Sequence, residues 1–337
     1  MRILVTGGAG FIGSNLLHRL VPRHPEHHFL NLDALTYAAN PLSLEALATR
    51  PNYELVEGNI ADPELVHDLV DRYAPDWILH LAAESHVDRS IVGPAPFITT
   101  NVLGTFHLLE ACRRLQERQR VLFHHVSTDE VYGSLGEEGA FTEESRYDPS
   151  SPYSASKAAS DHLVRAYHRT YGLAVKLTNS SNNYGPYQAP EKLIPRMIHN
   201  ALRGVPLPVY GDGLNVRDWL FVEDHCEALW EIALRGEIGA TYNVGGGCEV
   251  RNVDLVRSLC RVLAEELGRP PEELLNLVTF VADRPGHDHR YALDASKLRR
   301  ELGWAPRTTF AAGLRRTVRW YLEHQEWVRV SAERLTR

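Results

Sequence analysis

The run TGGAGFIG, Thr6–Gly13, leaves this chain few folds to choose from. It directly follows an apolar, strand-like segment, Arg2–Thr6, and opens a stretch with helical spacing, Phe11–Leu20. Its glycines satisfy both GxGxxG, counted from Gly8, and GxxGxxG, counted from Gly7. Glycines there let the backbone turn tightly and bring N–H groups against a pyrophosphate, and the positive end of the following helix favours phosphate charge. Asp33 stands 20 residues past Gly13, at the end of a second strand, where a carboxylate meets the adenosine ribose hydroxyls. That carboxylate repels a 2′-phosphate, so the expected cofactor is NAD and not NADP.

The rest of the first half keeps the same rhythm. Phe29–Asp33, Tyr53–Glu57, Trp77–Ala82, Val121–Ser127 and Leu173–Thr178 read as strands, and Pro63–Tyr73, Asn101–Leu115 and Pro152–Tyr171 as helices. Near-continuous apolar strands separated by helices imply a parallel sheet covered on both faces, here a Rossmann-type doubly wound α/β fold. After Ser180 the pattern changes. NNYGPYQAPEKLIP reads as a long loop. It is followed by a helix at Leu193–Leu202, a short strand near Val209, a helix around Asp224–Leu234 and a strand at Thr241–Val244. A helix at Val253–Leu267 and two C-terminal helices complete the reading. These pieces fit a smaller C-terminal α/β substrate domain, residues 181–337, capping an NAD-binding domain, residues 1–180, with segments near 222–247 as candidates to return to the large sheet.

Composition narrows the partners. A formal charge of −7 over 337 residues does not favour nucleic acid. Cys112, Cys226, Cys248 and Cys260 form no CxxC pair, which fits reduced thiols in the cytoplasm. Despite 17 histidines no HxxxH or HExxH lies on a plausible helix, so no metal is expected. No apolar run approaches the ~20 residues of a membrane span. A first strand at Arg2 leaves no room for a signal peptide, and a soluble protein is expected.

Two further motifs bear on chemistry. In SPYSASK, Ser151 can cap a helix and Pro152 can take its first position, so Tyr153 and Lys157 share one face. A nearby ammonium favours phenolate, making Tyr153 a candidate base toward an alcohol. In HVSTDEVYG, Thr128, Asp129 and Glu130 follow an apolar strand. Two adjacent acids depress each other's ionisation, which suits one protonated acid beside one ionised base. On a straight strand they would diverge, so the backbone must turn at Asp129 for both to serve one substrate. Taken alone, the acids also fit a solvated strand end and the Tyr–Lys pair a surface contact.

With TGGAGFIGS, the YxxxK pair and STDEVYG, the chain resembles the extended short-chain dehydrogenase/reductases. DALTYAAN, LAAESHVDRSI, TNVLGT, YSASKAASD, SNNYGPYQAPEKLIP, VYGDGLNVRDWLFVEDHC and DRPGHDHRYALD carry a resemblance to the dTDP-glucose 4,6-dehydratases from end to end. The resemblance implies an NAD-dependent hydro-lyase that yields a 4-keto-6-deoxy sugar, as used in rhamnose and other deoxysugar biosynthesis. Tyr153 would act as base at the carbon 4 hydroxyl, oriented by Thr128 and Lys157; Glu130 would take the carbon 5 proton and Asp129 protonate the leaving hydroxyl. Implied cofactor contacts are Gly7, Gly10, Phe11, Ile12, Gly13, Asp33, Ala34, Leu35, Thr36, Asn59, Ile60, Leu81, Ala82, Ala83, Ser85, Thr100 and Asn183, with Tyr153 and Lys157. Implied substrate contacts are Ser85, Thr128, Asn182, Lys192, Leu193, Pro208, Val209, Tyr210, Arg217, Asn252, Asp283, Arg284 and His287. Asn59 is a departure, standing where the family usually has aspartate beside the adenine. A homodimer through Asn101–Leu115 and Pro152–Tyr171 is implied by analogy. Rival readings are a UDP-sugar 4-epimerase or UDP-glucuronate decarboxylase, neither of which needs Asp129 and Glu130 as a pair, and a non-catalytic NAD-binding sensor, which needs neither pair. Thymine against uracil is left open.

Overall fold

The computed structural model describes residues 1–335. Its strands are β1 (Arg2–Thr6), β2 (His28–Asp33), β3 (Tyr53–Glu57), β4 (Trp77–His80), β5 (Leu122–Thr128), β6 (Ala174–Ser180), β7 (Asn182–Tyr184), β8 (Leu207–Tyr210), β9 (Val216–Phe221), β10 (Thr241–Val244), β11 (Glu249–Arg251) and β12 (Val278–Val281). Seven form one parallel sheet in the order β10-β6-β5-β4-β1-β2-β3. The chain runs outward from β1 to β3 and then restarts on the other side at β4. That reversal opens a crevice at the carboxyl ends of β1 and β4, where doubly wound sheets take ligands.

Alternation along each strand divides the core between the two faces. Leu4 and Leu30 pack with Val66, Leu109 and Val164 on one face. Ile3, Val5 and Phe29 pack with Leu16, Leu17, Cys226 and Trp230 on the other. The second face is completed by the helix Val222–Arg235, and β10 is the edge strand beside β6, so this part of the chain does lie on the large sheet.

The remainder is built on two small sheets, β11-β9-β7 and β12-β8. A separate core of Ile194, Met197, Trp219, Phe221, Leu255, Leu259 and Tyr321 holds them to their helices. Here the sequence reading needs correction. Asn182–Tyr184 is strand β7, not loop, because it pairs with β9. Among the described residues four helices, Pro271–Leu275, Ser296–Leu302, Phe310–Glu323 and Gln325–Leu335, stand where two were expected. Strand β4 stops at His80, and Leu81 to Ala83 leave it as irregular backbone. The helix expected from Asn101 begins as a π-helical segment, Ile98–Gly104, before the α-helix Thr105–Leu115. Such wide turns recur at functional sites. This one lets the Asn101 side chain bond both the N–H and the carbonyl of Glu84, at 2.8 and 3.0 Å, fixing the strand exit that lines the crevice.

Candidate active site

The glycine loop fits a dinucleotide. Gly7 has φ +75°, and a Cβ there would lie 2.6 Å from the Ala82 backbone; a Cβ on Gly13 would lie 2.2 Å from the Gly7 carbonyl. Loop, helix and β4 exit are therefore packed backbone against backbone. The helix Phe11–Arg23 has no side-chain cap and no acid in its first turn, so its N–H groups and positive end are left to a phosphate. Asp33 closes the loop from below. Its carboxylate accepts from Ala9 N and Leu35 N, both at 2.8 Å. Burial raises its pKa while those two bonds hold it down.

The acid pair lies across the crevice. β5 is buried along its whole length, and a 3₁₀ turn, Asp129–Tyr132, begins at once after Thr128. That turn is what lets neighbouring residues face one cavity, and Asp129 and Glu130 both line it. Asp129 is 1% exposed; Oδ1 accepts from Thr128 Oγ1 at 3.2 Å and Oδ2 has no partner among the described residues. Burial first, then the charges of Glu130 and Asp218, push its pKa well above the carboxylate range. Burial also raises Glu130, but Arg284, Arg217 and Lys192 pull it back. The two environments thus separate a protonated acid from a more readily ionised base.

This predicts a pH effect on stability. Unfolded, Asp129 ionises near the ordinary aspartate value of 3.8, whereas folded it holds its proton well above that. Above about pH 4 the unfolded chain therefore binds fewer protons than the folded one, and stability falls as pH rises through that window. Asp129→Asn should raise the melting temperature at neutral pH and flatten its decline between pH 4 and 7. An unchanged pH dependence of melting would contradict the buried, protonated assignment.

Tyr153 and Lys157 project from the helix Pro152–Tyr171. A reciprocal capping box between Ser151 and Ser154 fixes where that helix starts, with Ser154 N on Ser151 Oγ at 3.1 Å and Ser151 N on Ser154 Oγ at 3.0 Å. A cap of this kind is worth roughly 1 kcal/mol. Lys157 Nζ donates to the Val126 carbonyl at 2.9 Å; burial lowers its pKa to about 8, against which Asp161, one turn on, pulls upward. The expected lowering of the Tyr153 phenol is not what the side chains create. Burial and the Glu130 charge push it above its ordinary value, and only contact with Thr128 pulls it down.

A second cavity, ≈ 420 Å³, adjoins the first, ≈ 320 Å³, and shares Ser85, Glu130, Asn182, Asn183, Gln188, Glu191 and Lys192 with it. Leu193, Pro208, Val209, Tyr210, Arg217, Asn252, Arg284 and His287 line it. Its cations are anchored from behind. Arg217 donates to the Asp288 and Val216 carbonyls at 2.9 and 2.7 Å and sits 4.3 Å over the Tyr291 ring. Arg284 Nη1 donates to Asp88 at 2.7 Å, leaving a buried Nε without a partner. Lys192 Nζ donates to the Ser85 carbonyl at 2.8 Å. Three cations around one wall suit a diphosphate.

Of the residues marked in the sequence, Gly7, Gly10, Phe11, Ile12, Gly13, Asp33, Ala34, Thr36, Asn59, Ile60, Leu81, Ala82, Ala83 and Thr100 all line the first cavity. Leu35 and Asp283 line neither. Leu35 packs its side chain into the core beside the first helix, and Asp283 instead accepts from His287 Nδ1 at 2.6 Å, holding that ring. Thr128 lines only the first cavity. Sequence reasoning passed over Glu191, whose carboxylate lies 3.5 Å from both His86 and Arg89, and Asp218, whose charge helps raise the pKa of Asp129. PEKLIP contained Glu191, and its place beside Lys192 was the available signal. All four cysteines are free. One group with metal-ligand spacing, His24, Glu26 and His27, lies on the surface between the first helix and β2, and was not marked; its members contact one another at 3.3 and 3.5 Å. No helix among the described residues is long and apolar enough to cross a membrane.

A doubly wound sheet with this glycine loop, a Tyr–Lys pair and an adjoining cationic cavity defines a dinucleotide-dependent enzyme of the extended short-chain dehydrogenase/reductase class. Residues 4–317 match the family model described as GDP-mannose 4,6 dehydratase. Curated dTDP-glucose 4,6-dehydratases from Xanthomonas campestris and Haemophilus influenzae are 56% and 54% identical, each over 96% of this chain and over 94% and 98% of their own lengths. Among solved structures, DesIV of Streptomyces venezuelae, a dTDP-glucose 4,6-dehydratase with NAD bound, is 48% identical with a TM-score of 0.89, covering 97% of this chain and 98% of that one. A Thermus thermophilus UDP-glucose 4-epimerase in complex with NAD is 30% identical, with a TM-score of 0.84 over 96% of this chain and 100% of that one. The chain belongs to the dTDP-glucose 4,6-dehydratase family.

Proposed function

We propose that the protein is an NAD-dependent hydro-lyase that converts dTDP-glucose to dTDP-4-keto-6-deoxyglucose and water. The observation that carries this reading is the acid pair: Asp129 and Glu130, on one 3₁₀ turn, line the same cavity as Tyr153 and the glycine loop. Gly7 to Gly13 and Asp33 would hold the pyrophosphate and ribose of NAD, with Tyr153, Lys157 and Asn183 toward the nicotinamide. NAD, when bound, accepts a hydride from carbon 4 and later returns it to carbon 6.

Every proton step falls to the chain itself. Tyr153, beside Thr128, takes the proton of the carbon 4 hydroxyl. The ketone so formed makes the carbon 5 hydrogen acidic, and Glu130 removes it. Asp129 donates its proton to the carbon 6 hydroxyl, the C–O bond breaks, and water leaves. Glu130 then returns a proton to carbon 5. An epimerase needs neither of the last two residues, which is why the pair favours dehydration. Arg217, Arg284 and Lys192 hold the diphosphate, and Tyr210, 6.2 Å edge-on from His287, is placed to stack on the base. Residues 1–180, with the helix Val222–Arg235 and β10, would mainly hold the cofactor and present the catalytic residues, and the rest would mainly hold the sugar nucleotide. Exposed Leu103, Phe106 and Tyr171 on the two helices named for dimerisation fit a homodimer, and the free thiols fit the cytoplasm.

Product identification from a panel of nucleotide-glucoses tests the reading. dTDP-glucose should give a product lighter by one water without added NAD turnover, and UDP-glucose should give less. Recovery of an isomer of unchanged mass would move the assignment to the epimerase. The Asn59 departure gives a smaller prediction. Its Oδ1 already accepts from Ala61 N at 2.9 Å, which leaves no second oxygen for the adenine amino group. Asn59→Asp supplies one, so the variant should retain NAD several-fold better through gel filtration, the share of one hydrogen bond. Equal or poorer retention would place adenine elsewhere.

A further inference from the structure

The helix Gln325–Leu335 reaches back from the substrate side of the molecule onto the segment that follows β2. Arg334 Nη2 donates to the carbonyls of Leu35 and Thr36, at 2.6 and 3.2 Å. Leu35 has φ +47°, a conformation that L side chains rarely hold unless their surroundings impose it. Here it is imposed from both sides: Asp33 Oδ1 takes the Leu35 N–H at 2.8 Å, and Arg334 takes its carbonyl. The other Asp33 oxygen accepts from Ala9 N at 2.8 Å, so one chain of bonds runs from Arg334 through Leu35 and Asp33 to the glycine loop.

The same helix is tied down along its length. Asn40, 3% exposed, donates to Trp327 O at 3.1 Å and to Ser331 Oγ at 2.7 Å, and Trp327 Nε1 donates to Ser43 Oγ at 2.9 Å. Near its end, Arg89 donates to the Leu335 carbonyl at 3.4 Å while lying 3.7 Å over the Tyr37 ring.

We propose that this helix is a strap that holds the ribose-binding loop in its cofactor-ready form, with Arg334 as a positioning residue for NAD. The proposal rests on the reading of Asp33 as the ribose carboxylate. Arg334 itself lines neither cavity. Its effect passes through the loop: a loop already in its bound shape loses less freedom when ligand arrives, so affinity is higher.

The test is titration of NAD into the full chain stripped of cofactor. Arg334→Ala removes both bonds to the loop and should weaken NAD binding by about tenfold or more, the range of charge-assisted hydrogen bonds, and Arg334→Lys should recover part of it. Ser331→Ala, which removes the strap's bond to Asn40 without touching the loop's own bonds, should weaken NAD in the same direction. The melting temperature of the cofactor-free Arg334→Ala chain should fall by no more than a few degrees, leaving the chain folded at the titration temperature. NAD affinity unchanged in both alanine variants overturns the strap. So does a fall in the cofactor-free melting temperature that accounts for the affinity loss, since that makes Arg334 a general brace. Failure of the unaltered chain to bind NAD overturns the functional reading and the strap together.

Discussion

Glu130→Gln should start the reaction and stop after its first step. Tyr153 and Lys157 are untouched, so carbon 4 is still oxidised, but nothing then removes the carbon 5 proton. Loss of a positioned general base is worth about 10²–10⁴ in rate, and dehydration should fall by that much while the near-ultraviolet absorbance of reduced nicotinamide builds up. The surroundings of Glu130 support the base role. Arg284, Arg217 and Lys192 each favour its ionised form, while its neighbour Asp129 is enclosed beside two acids. Glutamine keeps the shape of the half-buried side chain, so folding should be preserved. An undiminished dehydration rate, followed by product formation, would remove Glu130 from the mechanism.

Tyr153→Phe should fail earlier and look different. Without the phenol no group takes the carbon 4 hydroxyl proton, and turnover should fall by a similar ~10²–10⁴. Here no absorbance of reduced nicotinamide should appear, because oxidation never begins. The phenol lies 8% exposed and 6.3 Å from the Phe97 ring, so phenylalanine keeps the packing. Its raised pKa bears on how the base works. Burial and Glu130 together favour the neutral phenol in the side-chain environment alone, so the opposing pull would have to come from the positive charge of a bound nicotinamide. Accumulation of reduced nicotinamide in Tyr153→Phe would show that another residue takes the first proton.

The parts of the site carried by short local patterns were legible in the sequence. A glycine loop between a strand and a helix, a tyrosine and lysine one turn apart, and two acids at a strand end need only local geometry to be placed. The turn at Asp129 was even required by the chemistry, and the 3₁₀ turn is there. What escaped depends on pairing between distant segments. β9 was missed because Arg217 and Asp218 stand mid-strand, and charged neighbours break the alternation that marks a strand; both are buried, at 5% and 1% exposure, by partners far off in sequence. β7 was read as loop because its three residues, Asn182–Tyr184, become a strand only by pairing with β9. Nothing near Arg334 announces that it will bond residues 35 and 36. The Tyr153 expectation failed for another reason: helical spacing put both residues on one helix but gave no measure of how deeply the phenol would be buried, nor that the ammonium would donate to the Val126 carbonyl.

Dehydration in this site requires Glu130 and Asp129 to act on adjacent carbons of one sugar. Running the reaction on dTDP-glucose in deuterated water tests this most directly, with the product read by mass and by the proton spectrum of carbons 5 and 6. The expected product has lost water and carries solvent deuterium at carbon 5, where Glu130 removes and returns the proton, with none at carbon 6. A dehydrated product with only protium at carbon 5, or recovered hexose with its carbon 6 hydroxyl intact, would contradict it.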